Sequence, residues 1–207
     1  NTRMAESDVA EAKRSMSRAE FEQEYLASFT TFEGQIYSLA DTDVCEPPAD
    51  LKGEAIAGCD PGYRDETAFC VIVYDYSADC FWVVDEYLKA EKTTAEHAKE
   101  FAELNDRHGV EVVFIDSAAA QFASDLAYLY NISTTKAKKD VLPGIAYVQT
   151  LVQQGRLKVA PHCTHTRAMF DQYRWDQREG LQRERPMHDK YSHMADAVRY
   201  ALYTYTI

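Results

Sequence analysis

Apolar residues come in short dense runs through the first half of the chain and recur at helical spacing after that. From Glu54 to Asp60 a brief apolar run meets Asp60-Pro61-Gly62, the pattern of a strand entering a tight turn. Thr67–Asp75 and Cys80–Leu88 are rich in Val, Ile, Phe, Tyr and Trp, and the polar connection Tyr76-Ser77-Ala78-Asp79 predicts an antiparallel hairpin. The period then changes. Ala95, Ala98, Phe101, Ala102 and Leu104 mark one stripe of a helix over Thr93–His108, with Gly109 as its stop. Glu111–Asp116 has the pattern of a buried strand and Arg156–Ala160 that of a short one. Ala119–Tyr130, Asp140–Gln154, Thr164–Trp175 and Tyr191–Tyr205 follow helical spacing. Three strands with short connections, then strands separated by helices, predict an α/β fold: a mixed β-sheet with helices on both faces.

The first part of the chain differs. Ser17-Arg18-Ala19-Glu20 has the form of a capping box, and Phe21, Tyr25, Leu26 and Phe29 then recur at helical spacing, which predicts a short helix from about Ser17 to Ser28. Asp41 to Leu51, with Pro47-Pro48, cannot continue a helix. The expected organisation is a helical N-terminal extension over 1–44, a linker over 45–53 and the α/β domain over 54–207. The chain opens on Asn1 without a signal-like apolar run and reads as a piece of something longer.

A length of 207 residues allows one α/β domain with a sizeable core plus an appendage. No stretch approaches the roughly 20 apolar residues that span a membrane, so no membrane partner is expected. Five cysteines make an odd count without a C-x-x-C pair, and three of them lie in strand-like runs; reduced, structural thiols fit a cytoplasm. The net charge of −12 opposes a broad nucleic-acid surface, since phosphate neutralisation needs clustered Lys and Arg. A DNA substrate would have to be held through metal and a local basic patch.

Three aspartates stand where apolar elements end or face inward: Asp60, Asp116 and Asp196. Acids in such places are costly unless a cation holds them. Hard oxygen donors without a Cys/His set select Mg²⁺ or Mn²⁺, and phosphoryl transfer is the usual work of such clusters. Each aspartate alone could equally be a turn or cap residue. If the strands ending at Asp60 and Asp116 are parallel neighbours, their carboxylates emerge on one rim, and a helix across that rim adds Asp196. His193, three residues before Asp196, shares its helical face and could orient a carboxylate or protonate a leaving oxygen. Asp65 and Glu86 are further accessory candidates; surface solvation is the expected state of both Asp85 and Glu86. Lys136, Lys138 and Lys139, with Arg183, Arg185 and Lys190, form the candidate DNA contact, and residues 176–190 are expected to form a mobile loop near the site.

The segments Ala57-Gly58-Cys59-Asp60-Pro61-Gly62 with Thr67, Val113-Phe114-Ile115-Asp116-Ser117, and Tyr191-Ser192-His193-Met194-Ala195-Asp196-Ala197-Val198-Arg199-Tyr200-Ala201 together resemble the nuclease domain of the large terminase subunit of tailed bacteriophages. The resemblance covers about Ala55 to Tyr205. The segment from Glu20 to Phe29 looks like the end of the packaging ATPase domain that precedes the nuclease in this family, while no G-x-x-x-x-G-K-[ST] loop is present. The resemblance implies a ribonuclease H-like fold, Asp60, Asp116 and Asp196 as metal ligands, and cleavage of double-stranded viral DNA with two Mg²⁺ or Mn²⁺ ions. It also implies a portal protein and a small terminase subunit as partners, a monomer in isolation, and the cytoplasm of the infected bacterium. A Holliday-junction resolvase or transposase of the same fold and an inert portal-docking domain are the competing readings. An actin-like or sugar-kinase ATPase would need a second Asp-x-Gly loop, which is not found.

Overall fold

The computed structural model describes residues 34–62, 65–176 and 185–205. The helix expected over Ser17–Ser28 lies outside the described residues, as does Arg183. Six strands form one sheet: β1 (Glu54–Asp60), β2 (Thr67–Asp75), β3 (Cys80–Lys89), β4 (Val112–Ile115), β5 (Thr134–Lys136) and β6 (Leu157–Val159), in the spatial order β5-β4-β1-β2-β3-β6. Strands β1, β2 and β3 run antiparallel in sequence, β4 and β5 run parallel to β1, and β6 runs parallel to β3. The mixed sheet is the predicted one, with β5 added. Its Thr134-Thr135-Lys136 is too short and too polar to carry a strand signal; pairing with β4 fixes it.

Helices cover both faces. On one lie α1 (Thr94–His108) and α2 (Ala120–Tyr130), whose Phe101, Phe122 and Leu126 share a core with Cys59, Phe69, Val71 and Ile115. Thr93 caps α1 with a reciprocal capping box through Glu96. On the other face lie α3 (Val141–Gln153), α4 (Thr164–Gln172) and α5 (Ser192–Thr204), packed with Ile56, Ile72, Phe81 and Phe114. Helix α5 is buried nearly all round, because the sheet, α3 and α4 all pack against it. It approaches β1 at Gly58, where any side-chain carbon would collide with the Ala197 carbonyl.

Two expectations need correction. Helix α4 stops at Gln172 rather than Trp175, because Arg174 and Trp175 turn into extended bridges with Gln35 and Pro186. Asp85 and Glu86 are not simply solvated. An extra residue, Val84, interrupts the β2–β3 register between the pairs Val71↔Asp85 and Ile72↔Val83. That bulge sends Asp85 to Arg107 and His108 of α1 (2.7 and 2.8 Å), and Glu86 to α4 on the opposite face.

Residues 35–45, expected in the extension and linker, pack onto this body. Ile36 and Tyr37 are buried, Tyr37 against the rings of Phe170 and Tyr173, and the Cys45 amide donates to Val159 at 3.2 Å. Cys59, Cys70, Cys80 and Cys163 are buried free thiols. Among the described residues no helix is long and apolar enough to cross a membrane.

Candidate active site

The site follows from strand direction. Because β1 and β4 are parallel with Cys59 opposite Ile115, the next residues of each, Asp60 and Asp116, leave the sheet at the same edge. Adjacent strands lie about 5 Å apart, so the two backbones are neighbours there. Cys59 and Ile115 both face α1 and α2, and alternation then turns Asp60 and Asp116 toward the face that α5 occupies. The turn after Asp60 is closed by Thr67, whose hydroxyl donates to the Gly62 carbonyl (2.9 Å) and accepts from its amide (3.1 Å). Strand β5 continues the edge: Ile115 lies opposite Lys136, and the Ala137 amide donates to the Ile115 carbonyl at 2.9 Å, which brings Lys136 to Lys139 alongside Asp116.

The third carboxylate comes from α5. Asp189 fixes the start of that helix by accepting from the Tyr191 amide on its carboxylate (2.8 Å) and from the Ser192 amide on its carbonyl (3.0 Å). One turn in, Asp196 immediately precedes Ala197, the residue seated on Gly58. The phenol of Tyr200, one turn further on, is held above its ordinary pKa first by burial and then by the negative charges of Asp196, Asp60 and Asp116. All three carboxylates therefore act on one buried ring.

Each aspartate is held by a basic side chain. His193 Nδ1 lies 2.8 Å from an Asp60 oxygen, and that hydrogen bond outweighs burial and raises the imidazole's pKa above its ordinary value. Lys139 Nζ donates to both oxygens of Asp116 at 2.8 and 2.6 Å, and the Ala118 amide donates to one of them at 2.9 Å. Burial pushes the Asp116 carboxyl up, but these donors and the charge of Lys136 outweigh it and hold it below its ordinary value. Asp196 goes the other way: burial and the repulsion of Asp60 raise its carboxyl despite a 2.6 Å contact from Arg199. Among the described residues no three Asp, Glu, His or Cys side chains converge closely enough to form a closed metal-binding group. The three aspartates share an edge, each facing its own basic side chain.

The remaining candidates are placed as follows. Asp65 is exposed beyond the first turn, near enough with Glu66 to raise His193. Glu86 stands two strands from β1 and accepts the His165 and Thr166 amides at 2.7 Å each, anchoring the first turn of α4. Lys136 and Lys138 are exposed near Asp116; Lys138 Nζ lies over the Tyr203 ring. Arg185 pairs with Asp176 at 3.3 Å and lines a cavity of about 270 Å³ with Tyr173, His188 and Asp196. Lys190 lies over the Tyr191 ring, 5.0 Å from its centroid. Arg199 was not singled out as a site residue in the sequence. Its spacing of three from Asp196 on a helix was the available signal.

Comparison with known proteins places the chain in a family. A profile of the Terminase RNaseH-like domain matches residues 57–204. The chain is 44% identical over 219 residues to the large subunit of the terminase of Escherichia phage T5, covering 99% of this chain and 49% of that protein. It thus spans about half the length of the curated relative it matches. Among solved structures, the large terminase of thermophilic bacteriophage D6E superposes with a TM-score of 0.75 at 24% identity, over 94% of this chain and 53% of that one. The large terminase nuclease from thermophilic phage G20c with bound magnesium gives 0.61 at 16% identity, over 85% of this chain and 100% of that one, and it has also been solved with bound cobalt. These likenesses establish the ribonuclease H-like fold, and with the matched profile the chain belongs to the terminase RNase H-like domain family.

Proposed function

We propose that this chain is the metal-dependent endonuclease part of a phage large terminase subunit, cleaving double-stranded viral DNA during genome packaging. The supporting observation is the edge itself: two adjacent parallel strands end in Asp60 and Asp116, and a helix seated on Gly58 brings Asp196 over them. The donors suit a hard divalent cation, since they are carboxylates and the nearest thiol, Cys59, faces the opposite core. The attraction of Asp60 and Asp116 for His193 and Lys139 is the attraction a divalent ion would compete for. Asp60, Asp116 and Asp196 would hold Mg²⁺ or Mn²⁺, two ions once DNA is present. When bound, such ions lower the pKa of an attacking water and stabilise the leaving 3′ oxygen.

The chain's own residues supply the rest. His193 fixes the rotamer of Asp60. Lys136, Lys138, Lys139, Arg185 and Lys190, with Arg183, supply the positive charge that draws phosphate to an edge of a protein whose net charge is −12. Asp65 is an accessory acid beside His193, whereas Glu86 serves the fold by seating α4. Residues 1–44 form the tail of a preceding ATPase domain and 45–53 the linker, with 35–45 anchored on the nuclease body. The partners are double-stranded DNA and, in the packaging machine, the portal protein and small terminase subunit. The isolated chain is a monomer and works in the cytoplasm of the infected bacterium.

Supercoiled plasmid incubated with the chain and Mn²⁺ tests this. Nicked and linear products are expected, absent with EDTA and absent for Asp60→Asn. Cleavage that persists in EDTA or in Asp60→Asn would reject the metal mechanism. A folded chain that neither binds Mn²⁺ nor cuts DNA would favour a docking role.

A further inference from the structure

We infer that Arg199, with its stem lying on Gly144, is the positioning residue for Asp196: it grips one carboxylate oxygen and leaves the other free for the metal. The inference rests on the metal-nuclease reading above and assigns a role to two residues outside its three-aspartate site.

Arg199 is 3% exposed, which is unusual for an arginine. Its Nη2 donates to Asp196 Oδ1 at 2.6 Å, one helical turn away on the same face of α5. Its Nη1 is buried with no hydrogen-bond partner among the described residues. A buried guanidinium with a nitrogen left unmatched is a poor source of stability. What it does provide is geometry. The planar fork is rigid, so one short charge-assisted bond fixes the direction of the carboxylate as well as its position.

The arginine itself is held from below. A side-chain carbon on Gly144 of α3 would stand 2.7 Å from Arg199 Cδ and 2.8 Å from Cγ, and 3.4 Å from the ring of Tyr203. The bare backbone of Gly144 therefore forms the floor on which the arginine stem rests. Above, the guanidinium carbon lies 5.0 Å from the centre of the Tyr200 ring, the ring on which all three carboxylates act. With its stem on Gly144 and its guanidinium beside the Tyr200 ring, Arg199 meets Asp196 through Nη2. Asp196 borders the 270 Å³ cavity it shares with Tyr173, Arg185 and His188, and its side chain is 30% exposed, so the gripped carboxylate keeps an open side.

The outer partners of metal ligands typically change affinity by about 10–100-fold when lost. Calorimetric titration of the full chain with Mn²⁺ reads this without reference to cleavage. Gly144→Ala pushes the arginine stem off its floor, and Arg199→Met removes the grip; both are expected to weaken Mn²⁺ binding by about tenfold or more. Arg199→Lys keeps the charge without the fork and should fall between Arg199→Met and the parent. Ile145→Val, a loss of packing at the neighbouring buried position of α3, should leave Mn²⁺ affinity within about twofold of the parent. If Arg199→Met does not fold, Arg199→Lys and Gly144→Ala decide the matter. Unchanged affinity in those two, or an equal loss in Ile145→Val at the same unfolding temperature, would overturn the positioning role while leaving the metal site standing. If the parent chain binds no Mn²⁺ with DNA present, or Asp60→Asn binds it equally well, the metal reading fails and this inference fails with it.

Discussion

The carbonyl oxygen of Ala197 lies 1.8 Å from the point where a side-chain carbon on Gly58 would stand. Helix and strand are thus in backbone contact, closer than any other residue at position 58 would permit. Asp60 is two residues along the strand from this contact and Asp196 is one residue back along the helix. A single absent methyl group therefore sets the distance between two of the three carboxylates.

Gly58→Ala should damage the site and the fold together. The added carbon meets the Ala197 carbonyl and, at 2.9 Å, the Ala201 amide nitrogen, both of them main-chain atoms that cannot rotate away. Overpacking of this kind costs about 1–3 kcal/mol, and a rigid backbone obstacle puts this case at about 3 kcal/mol. Urea denaturation measures the loss. The Mn²⁺ affinity of the folded fraction should fall as well, because α5 must lift and take Asp196 with it. A variant as stable as the parent would mean that the helix can slide, and that Gly58 does not set the spacing.

Glu86→Ala separates a structural acid from a metal-binding one. Its two oxygens accept the first amides of α4, a charge-assisted cap whose removal costs about 1–2 kcal/mol. Thermal unfolding should therefore move to lower temperature, with Mn²⁺ affinity and plasmid nicking at permissive temperature unchanged. A selective loss of Mn²⁺ affinity at unchanged stability would instead make Glu86 a ligand.

The placement of the three aspartates at element ends and on a helix face was legible because its signals are local. Asp60 was legible because Pro61-Gly62 ends its strand, and Asp116 because an apolar run ends on it. Asp196 was legible through the helical spacing of Met194, Ala197, Val198 and Ala201. What pairing decides was not legible. Strand β5 exists because β4 offers it an edge, and Glu86 faces α4 because a bulge at Val84 shifts the alternation. Nothing local marks Arg199 as buried; only the absence of a side chain at Gly144, 55 positions earlier, makes room for it. His193 and Lys139 were site candidates in the sequence, but which carboxylate each meets was hidden for the same reason, since Asp60 meets His193 across 133 positions and Asp116 meets Lys139 across 23.

His97 should take stability away as pH drops below neutrality. Its ring is buried on α1, 2.9 Å from the Tyr87 hydroxyl, and burial first, then the charge of Lys92, lower its pKa against the pull of Glu96 and Glu100. A histidine whose folded pKa is depressed contributes fully above its unfolded value of about 6.5, and that contribution is lost as pH falls from there toward the folded value. The raised pKa of His193 acts in the opposite sense over the same range, so from pH 7.5 down to 5.5 the unfolding midpoints of His97→Gln should fall less, or rise more, than those of the parent. An identical pH slope in the variant would remove His97 from the account.

Lys139→Gln should move two measurements in opposite directions. The ammonium bridges both oxygens of Asp116 and is about half exposed, and an exposed ion pair is worth about 0.2–1 kcal/mol. Releasing Asp116 from that contact removes a competitor, so Mn²⁺ should bind about two- to fivefold more tightly. The same lysine stands with Lys136 and Lys138 on the edge where phosphate is expected. Its loss should weaken DNA binding and reduce the slope of log affinity against log salt by about one. Calorimetry with Mn²⁺ and DNA titrations at several salt concentrations read the two effects separately. Weaker Mn²⁺ binding in Lys139→Gln would mean that the lysine orients Asp116 for the ion rather than competing with it, and an unchanged salt slope would take Lys139 off the DNA path.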